Sequence, residues 1–200
     1  MKRGSLYTLV YAAVLGLVCA LMLAAVDSFT AERKSANARA EEVRNILSVL
    51  SVDVPSTASA EDLLATFNAE VTVTERRGLT FYSYDHPQKG HLIAVRFSGP
   101  GLWGPVEGFI CFEADMRTIS AVSFYKHEET PGLGGEISSP AFTRQFQGLS
   151  AVGPDGKPGI AVVGHGAKAP NEVDAISGAT MTSDKVQQML NRVIAEVVAT

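Results

Sequence analysis

The first part of the chain is an unbroken run of apolar residues. Leu6 to Val26 spans 21 residues without a charged side chain. As an α-helix this run is about 31 Å long, close to the hydrocarbon thickness of a bilayer. A cleaved signal peptide is the competing interpretation, but its apolar core is usually only about 7–15 residues long. The pattern therefore predicts one retained transmembrane helix over residues 6–26.

Charges at the two ends of this run predict how the chain is oriented. Lys2 and Arg3 precede it, and Asp27 follows it. Because Lys and Arg are enriched on the cytoplasmic side of membrane spans, we expect residues 1–5 to be cytoplasmic. The rest of the chain would then be extracytoplasmic (periplasmic), on a single-pass protein of the cell inner membrane. The run has no ionisable side chain, so it offers no ion path of its own.

After the apolar run the pattern is helical and then breaks. Residues 28–48 favour a helix whose last turns share one apolar face: Val43, Ile46, Leu47 and Leu50. Pro55 ends it, because proline disfavours helix at the preceding residue. Ser59 resembles the N-cap of a short following helix. These signals predict a stalk helix and linker over residues 27–57 and a folded domain over residues 58–200.

The folded part then changes to the alternation typical of β-strands. The β-rich runs are residues 71–74, 79–82, 91–97, 107–113, 119–126 and 160–164. Residues 114–117 are typical of a hairpin turn, and residues 140–148 of a short helix. Ser183 is the predicted N-cap of a final amphipathic helix. The predicted fold class is α+β: an antiparallel sheet with packed helices, preceded by a single transmembrane helix.

Composition and charge exclude several classes of protein. With 17 basic and 21 acidic residues, the formal charge is −4, which argues against a nucleic-acid-binding protein. Two cysteines cannot form a disulfide framework or a four-cysteine zinc site. The four histidines share no ligand spacing. We therefore expect neither nucleic acid nor a metal ion as a ligand.

Two segments break the local rules, and the first is rich in glycine. Residues 126–136 begin at the end of a predicted strand and contain Pro131-Gly132-Leu133-Gly134-Gly135. Glycine allows the backbone to approach a ligand closely, although a plain strand-to-helix turn would have a similar composition. Neither the phosphate-loop pattern nor the dinucleotide fingerprint is present.

The second such segment is rich in small residues. Residues 174–183 lead into the N-terminus of the final predicted helix. Unpaired backbone N–H groups and the helix dipole favour an anion such as phosphate at this position. A simple Ser/Thr-rich helix cap is the alternative interpretation.

Both segments resemble signatures of one family. Asp174-x-x-Ser177-Gly178-Ala179-Thr180 resembles the acceptor motif of the FMN-binding domain family, and residues 129–134 resemble its second signature. Gly101-Leu102-Trp103-Gly104-Pro105 is similar to the C subunits of sodium-translocating NADH:quinone reductases. The G subunits of Rnf electron transport complexes share the span and both motifs. Residues 58–200 would then be the FMN-binding domain.

The resemblance implies a cofactor and the residues that bind it. In this family a flavin transferase joins FMN to the last threonine of the acceptor motif, so Thr180 would carry FMN as a phosphoester. By analogy the phosphate would be lined by Ser177, Gly178 and Ala179. The neighbours of the flavin ring would be Glu129, Thr130 and Leu133. Trp103 is either a further ring contact or a core residue.

The implied function is electron transfer within a larger assembly. A tethered flavin suits a relay, and no dinucleotide fingerprint or iron–sulfur cysteine set is present. The chain would be an electron-carrying subunit of a membrane NADH:ubiquinone reductase coupled to Na⁺ export, with no complete active site of its own. Its partners would be other subunits, a flavin transferase and membrane lipid. The alternatives are the G subunit of an Rnf complex and a membrane-tethered, non-redox binding or assembly domain.

Two further residues are predicted to be structural. His127 ends a predicted strand, and we expect it to support the fold rather than contact the flavin. Cys111 alternates with Ile110 and Phe112, and we expect it to be a small buried apolar side chain.

Overall fold

The structure, a computed structural model, describes residues 3–198. Lys2, part of the predicted orientation signal, lies outside these residues. The chain divides into two compact units, with the boundary between Ala40 and Glu41. A single helix, α1 (Arg3–Val49), begins in the first unit and ends in the second.

The described residues of the first unit, 3–40, all belong to α1. Its apolar side chains are exposed, including Leu9, Leu17 and Leu21. In the described part of the chain, α1 is the one helix long and apolar enough to cross a membrane. The predicted long N-terminal apolar helix is therefore confirmed, and it continues without a break into the predicted stalk.

The last turns of α1 belong to the second unit. The predicted domain boundary at residue 58 assigns these turns to the stalk, whereas the second unit begins at Glu41. The apolar face of the helix explains the difference, because its side chains are buried within that unit: Val43, Ile46, Leu47 and Leu50. The Ser123 hydroxyl on the sheet also donates a 2.9 Å hydrogen bond to Asn45 Oδ1.

A six-stranded antiparallel sheet forms the body of the second unit. Its strands are β1 (Thr72–Arg76), β2 (Leu79–His86), β3 (Gly90–Pro100), β4 (Pro105–Phe112), β5 (Thr118–Lys126) and β6 (Leu149–Ser150). They are hydrogen-bonded in chain order, and each pair is antiparallel. The predicted strands agree with β1 to β5 to within a few residues, and the predicted α+β class is confirmed.

Helices cover both faces of the sheet. The remaining helices are α2 (Ala60–Glu70), α3 (Pro140–Thr143) and α4 (Thr180–Val198), with 3-10 turns at Gly134–Ser138 and Arg144–Phe146. On one face Phe67 of α2 meets Tyr82, with ring centroids 6.1 Å apart. On the other face Val95 and Ile110 share the main hydrophobic core with Leu190 of α4. The buried stripe of α4 fixes its N-terminus at one end of the sheet.

Of the two predicted helix caps, one is confirmed and the other is wrong. Ser59 caps α2 as predicted, in a capping box with Asp62. Ser183 is not the N-cap of the final helix, because α4 already begins at Thr180. The Ser183 hydroxyl is buried and accepts the N–H of Ile176 at 3.2 Å, which closes the turn before the helix.

A small second sheet follows the main one. β7 (Ala161–Val163) pairs in parallel with β8 (Glu172–Asp174). The strand predicted at residues 160–164 is β7, whereas β8 has no counterpart among the predicted strands. β8 ends at Asp174, which is the first residue of the motif Asp174–Thr180.

Candidate functional site

Three segments that are distant in sequence meet at one end of the sheet. The hairpin tip (Gly101–Gly104) joins β3 to β4, the glycine loop (Glu129–Gly135) follows β5, and the acceptor turn (Ser177–Ser183) opens α4. The Glu129 carboxylate contacts all three segments. The structure thus brings the motifs predicted from the sequence together at a single place.

Glu129 is buried and its carboxylate is satisfied by protein donors. Its side chain is 5% exposed. Oε1 accepts the backbone N–H of Leu102 at 2.6 Å and that of Trp103 at 3.4 Å. Oε2 accepts the hydroxyl of Thr182 at 2.8 Å. Glu129, predicted to be a neighbour of the flavin ring, therefore lies beneath the surface rather than on it.

The hairpin tip projects an aromatic side chain into solvent. The N–H of Gly101 donates to the carbonyl of Gly104 at 2.8 Å and closes the tip. Trp103 is 70% exposed. The interpretation of Trp103 as a core residue is therefore wrong, and its contact with a flavin stays a prediction. An open cavity of about 670 Å³ lies against this tip and includes Ser98 and Glu107.

The glycine loop is folded tightly around one carbonyl. The oxygen of Thr130 accepts the N–H of Leu133 at 3.1 Å and that of Gly135 at 2.9 Å. Gly132 has φ +74°, a conformation that side chains other than glycine rarely adopt. Leu133 is half-exposed, and Thr130 is exposed. Two of the three predicted ring neighbours thus lie at the surface.

The two threonines of the acceptor turn differ in their surroundings. Thr180 is the first residue of α4 and is exposed, whereas Thr182 is 2% exposed and bonded to Glu129. Gly178 has φ +75°, and a Cβ there would lie 3.2 Å from Cδ2 of Leu133. Glycine is required at this position both by the backbone and by the adjacent loop.

Contacts on both sides hold the start of the acceptor motif. Asp174 Oδ1 accepts the N–H of Ala167 at 2.8 Å. The backbone N–H of Asp174 donates to Gln145 Oε1 at 2.7 Å, and the Gln145 amide returns a 3.3 Å bond to the Asp174 carbonyl. Asp174 is therefore part of the local framework of the motif.

The first turn of α4 offers unpaired donors. In residues 3–198, the backbone N–H groups of Thr180, Met181 and Thr182 donate to no acceptor, and Ser183 makes the first helical bond, to Ala179. Ser177 and Gly178 are exposed or half-exposed beside them, while Ala179 is buried. Free amides at the positive end of a helix dipole suit a phosphate group. The residues present therefore fit a phosphate attached at Thr180.

Exposed apolar side chains are concentrated on the same three segments. Among the described residues after α1, the exposed large apolar side chains are Val73, Leu102, Trp103, Leu133 and Met181. All except Val73 belong to the hairpin tip, the glycine loop or the acceptor turn. Exposed apolar side chains concentrated on neighbouring segments are typical of a place that binds a ligand or a partner. An aromatic ring system is the ligand that such side chains suit.

A charged network lies behind the hairpin tip. Glu107 on β4 accepts from Lys126 Nζ at 2.7 Å and from the Tyr125 hydroxyl at 3.1 Å, and it pairs with Arg96. The Lys126 ammonium, helped by the Arg96 guanidinium, lowers the pKa of Glu107 to about 2. Burial raises the pKa of Tyr125 to about 12. Glu107 therefore stays ionised and anchors the strand that leads out of the tip.

The two residues predicted to be structural differ in how well the fold satisfies them. Cys111 is fully buried, and burial raises the pKa of its thiol to about 12. His127 lies at the end of β5, with Nε2 3.3 Å from Ser138 Oγ. Its Nδ1 is buried without a hydrogen-bond partner among the described residues.

Sequence reasoning missed the roles of Leu102, Met181 and Thr182. Leu102 gives its backbone N–H to Glu129, Met181 adds exposed apolar surface, and Thr182 gives its hydroxyl to Glu129. The signal for these roles that the sequence offered was the glycines at positions 101 and 134. A Cβ at Gly101 or at Gly134 would collide with an oxygen of Glu129, so these two glycines make room for the carboxylate.

The part of the chain that holds this site matches a known family. Residues 101–195 match the family model described as the FMN-binding domain. All three segments lie within this range. The resemblance to that family predicted from the sequence is confirmed.

Comparison with individual proteins gives a more specific likeness than the family model does. The chain is 42% identical over 97 residues to the C subunit of the Na(+)-translocating NADH-quinone reductase of Vibrio alginolyticus, covering 48% of this chain and 38% of that protein. The corresponding C subunit of Yersinia pestis is 41% identical over 95 residues, covering 46% of this chain and 36% of that protein. The matched region thus spans less than half the length of these curated relatives.

Solved structures extend the likeness to most of the fold. The crystal structure of the same C subunit from Parabacteroides distasonis superposes with a TM-score of 0.70 at 25% identity, over 84% of this chain and 96% of that chain. The Shewanella oneidensis NqrC structure gives a TM-score of 0.66 at 20% identity, over 82% of this chain and all of that chain. The fold is thus that of the NqrC structures.

Proposed function

We propose that this chain carries FMN as a phosphoester of Thr180 and passes electrons within a membrane NADH:quinone reductase of the sodium-translocating type. The single observation that carries the proposal is the exposed Thr180 hydroxyl at the free N-terminus of α4, beside exposed apolar side chains. The family match over residues 101–195 and the relatives among the reductase C subunits support the cofactor and the assembly.

The surroundings of the two threonines favour Thr180 as the acceptor. A transferase needs access to the hydroxyl that it modifies. Thr180 is exposed, whereas the Thr182 hydroxyl is buried and donates to Glu129. Modification of Thr182 would break that hydrogen bond and bring a phosphate up to a buried carboxylate. Thr180 is thus the acceptor that the local structure favours.

The protein would bind each part of the cofactor with different groups. The free amides of residues 180–182 would bind the phosphate oxygens, with Ser177 and Gly178 beside them. Leu133 and Trp103 would contact the ring, and Thr130, which is exposed, would lie near it. FMN itself supplies reversible electron transfer. The chain's own contribution is to hold the group at one place and to shield it partly from water.

Membrane attachment follows from α1. Its exposed apolar side chains would lie in lipid, and Arg3 at its start favours a cytoplasmic N-terminus. The FMN-binding domain would then be periplasmic, held at the inner membrane by a single span. Electrons would come from and go to other subunits, and the chain would be modified by a flavin transferase.

Mass spectrometry of the tryptic peptide from Ala169 to Lys185 tests the linkage. The full chain would be expressed with a flavin transferase and digested. Formation of the ester removes one proton from the Thr180 hydroxyl and one hydroxyl from the phosphate. The expected mass increase is therefore that of FMN less one water, with fragment ions assigning it to Thr180.

Matched variants separate the acceptor from its neighbour. Thr180→Ala should lose the mass increase and the flavin fluorescence that persists in a denaturing gel, while Thr180→Ser keeps a hydroxyl and partial labelling. Thr182→Val, which removes the other threonine hydroxyl of the same turn, should remain labelled at Thr180. An unmodified wild-type peptide from cells that contain the transferase would overturn the proposal and favour a non-redox binding domain.

A further inference from the structure

Glu129 is buried without a cationic partner. Within residues 3–198, no Lys, Arg or His forms an ion pair with it, and its donors are two backbone N–H groups and one hydroxyl. Burying a carboxylate in this way is costly unless it is fully hydrogen-bonded. An apolar side chain would fill the same space at a smaller cost, so the hydrogen bonds of Glu129 point to a role in positioning.

The three donors come from two of the three segments that carry the exposed site residues. Leu102 and Trp103 belong to the hairpin tip, and Thr182 lies in the first turn of the acceptor helix, two residues after Thr180. Hydrogen bonds to an ionised acceptor are short and about twice as strong as those between neutral groups. Each carboxylate oxygen thus holds a different segment, and Glu129 joins the two.

Two glycines from different motifs leave the space that the carboxylate occupies. A Cβ at Gly134 would lie 2.6 Å from Oε2 of Glu129 and 2.6 Å from the Thr182 hydroxyl oxygen. A Cβ at Gly101 would collide with Oε1. At Gly101 and at Gly134 the backbone therefore approaches the Glu129 carboxylate so closely that only glycine fits.

We propose that Glu129 is a positioning residue that holds the Trp103 tip at a fixed place relative to the acceptor threonine. Glu129 does not touch the cofactor. It acts by fixing the hairpin tip against the first turn of α4, through hydrogen bonds to both segments. The consequence for FMN rests on the proposed function, whereas the link between the tip and the helix does not.

Trp103 provides a direct readout, because it is the one tryptophan in the sequence. The test measures its time-resolved fluorescence anisotropy in the full chain, without flavin, in a non-aromatic detergent. Glu129→Ala should cause loss of the slow component, as the tip moves independently of the domain. Glu136→Ala is the matched control, since Glu136 is an exposed glutamate of the following turn, and it should leave the decay unchanged.

Conservative variants separate positioning from charge and from general destabilisation. Glu129→Gln should keep the slow component, because its amide oxygen accepts from Leu102 while its amide nitrogen donates to the Thr182 hydroxyl oxygen. Thr182→Val should reproduce the loss in part, and Thr182→Ser should restore the wild-type decay. If Glu129→Ala fails to fold, the Thr182 pair still decides the question.

The same variants, loaded with flavin, test the consequence for the cofactor. Glu129→Ala should lower the anisotropy of the flavin fluorescence and weaken its visible circular dichroism, with the Thr180 linkage retained. If Trp103 responds but no flavin is ever attached, the link between the tip and the helix stands and the proposed function fails. An unchanged Trp103 decay in both Glu129→Ala and Thr182→Val would overturn the inference, whatever the state of the flavin.

Discussion

One methyl group added at Gly134 would enter the buried hydrogen bond between Glu129 and Thr182. The new Cβ would lie 2.6 Å from both oxygens and 3.3 Å from Cβ of Glu129. Thr182 is β-branched and buried in the first turn of α4, so its hydroxyl has little freedom to move. Glu129 is bound on its other side by Leu102. The 2.8 Å bond must therefore break or lengthen.

The expected cost of Gly134→Ala follows from that bond. A hydrogen bond to a charged group contributes about 1.5–3 kcal/mol to folding. Replacing glycine by alanine also restricts the unfolded chain, which raises the free energy of unfolding by about 0.4–1 kcal/mol. The free energy of unfolding should fall by about 1–2 kcal/mol, measured by urea denaturation of the full chain in detergent with circular dichroism.

Two other glycines serve as controls for this experiment. Gly164 has open space around it and no left-handed backbone, so Gly164→Ala should change stability by less than about 0.5 kcal/mol. Gly132→Ala should cost about 1–2 kcal/mol through its φ of +74°, but without moving Trp103. Gly134→Ala should alter the Trp103 anisotropy as well.

A double-mutant cycle decides whether the reasoning is correct. If the methyl group acts by breaking the bond from Thr182 to Glu129, its cost should shrink in a Thr182→Val background, where that bond is already absent. Additivity within about 0.3 kcal/mol would refute the steric argument. Wild-type stability of Gly134→Ala would refute it too.

The remaining predictions concern pH and topology. Because Lys126 and Arg96 lower the pKa of Glu107 to about 2, its contribution to stability is complete above the ordinary value near 4.5 and is lost as the pH falls toward 2. Glu107→Gln should thus flatten the dependence of unfolding free energy on pH between about 4.5 and 2, and an unchanged slope would contradict the network. A reporter fused after the C-terminus should be extracytoplasmic and a tag before Met1 cytoplasmic; protease access to that tag in intact cells would exclude this orientation.

Much of the fold could be predicted because its signals are local. Alternation along β5 reflects one strand face that is more deeply buried than the other, and the 3.6-residue period of α4 reflects one buried stripe. The last turns of α1 are harder to assign, although their apolar face is present in the sequence. A periodic apolar face predicts that something covers it, but it does not say whether that partner is lipid, another chain or the same domain.

The site could be predicted in its segments but not in its connections. The exposed Thr180 and the glycine loop follow from motifs, whereas the link from Leu102 through Glu129 to Thr182 joins residues 27 and 53 positions apart. No local pattern encodes such a link. A glutamate in a loop of glycine and proline has the composition of a surface residue, so its burial is signalled only indirectly, by the glycines that leave room for its carboxylate. The start of α4 is misplaced for a related reason, since Ser183 uses its hydroxyl to bond Ile176 and not as a cap.

Several features at this end of the sheet lower the stability of the domain, which indicates a functional site rather than a supporting part of the fold. A buried carboxylate without a cation among the described residues and an exposed tryptophan each disfavour a stable domain taken alone. Elsewhere the domain has a capping box at Ser59 and a continuous apolar core. Natural sequences concentrate such conflicts where function requires them. These conflicts lie on the segments that Glu129 joins, as expected if the composition of these segments serves the proposed function.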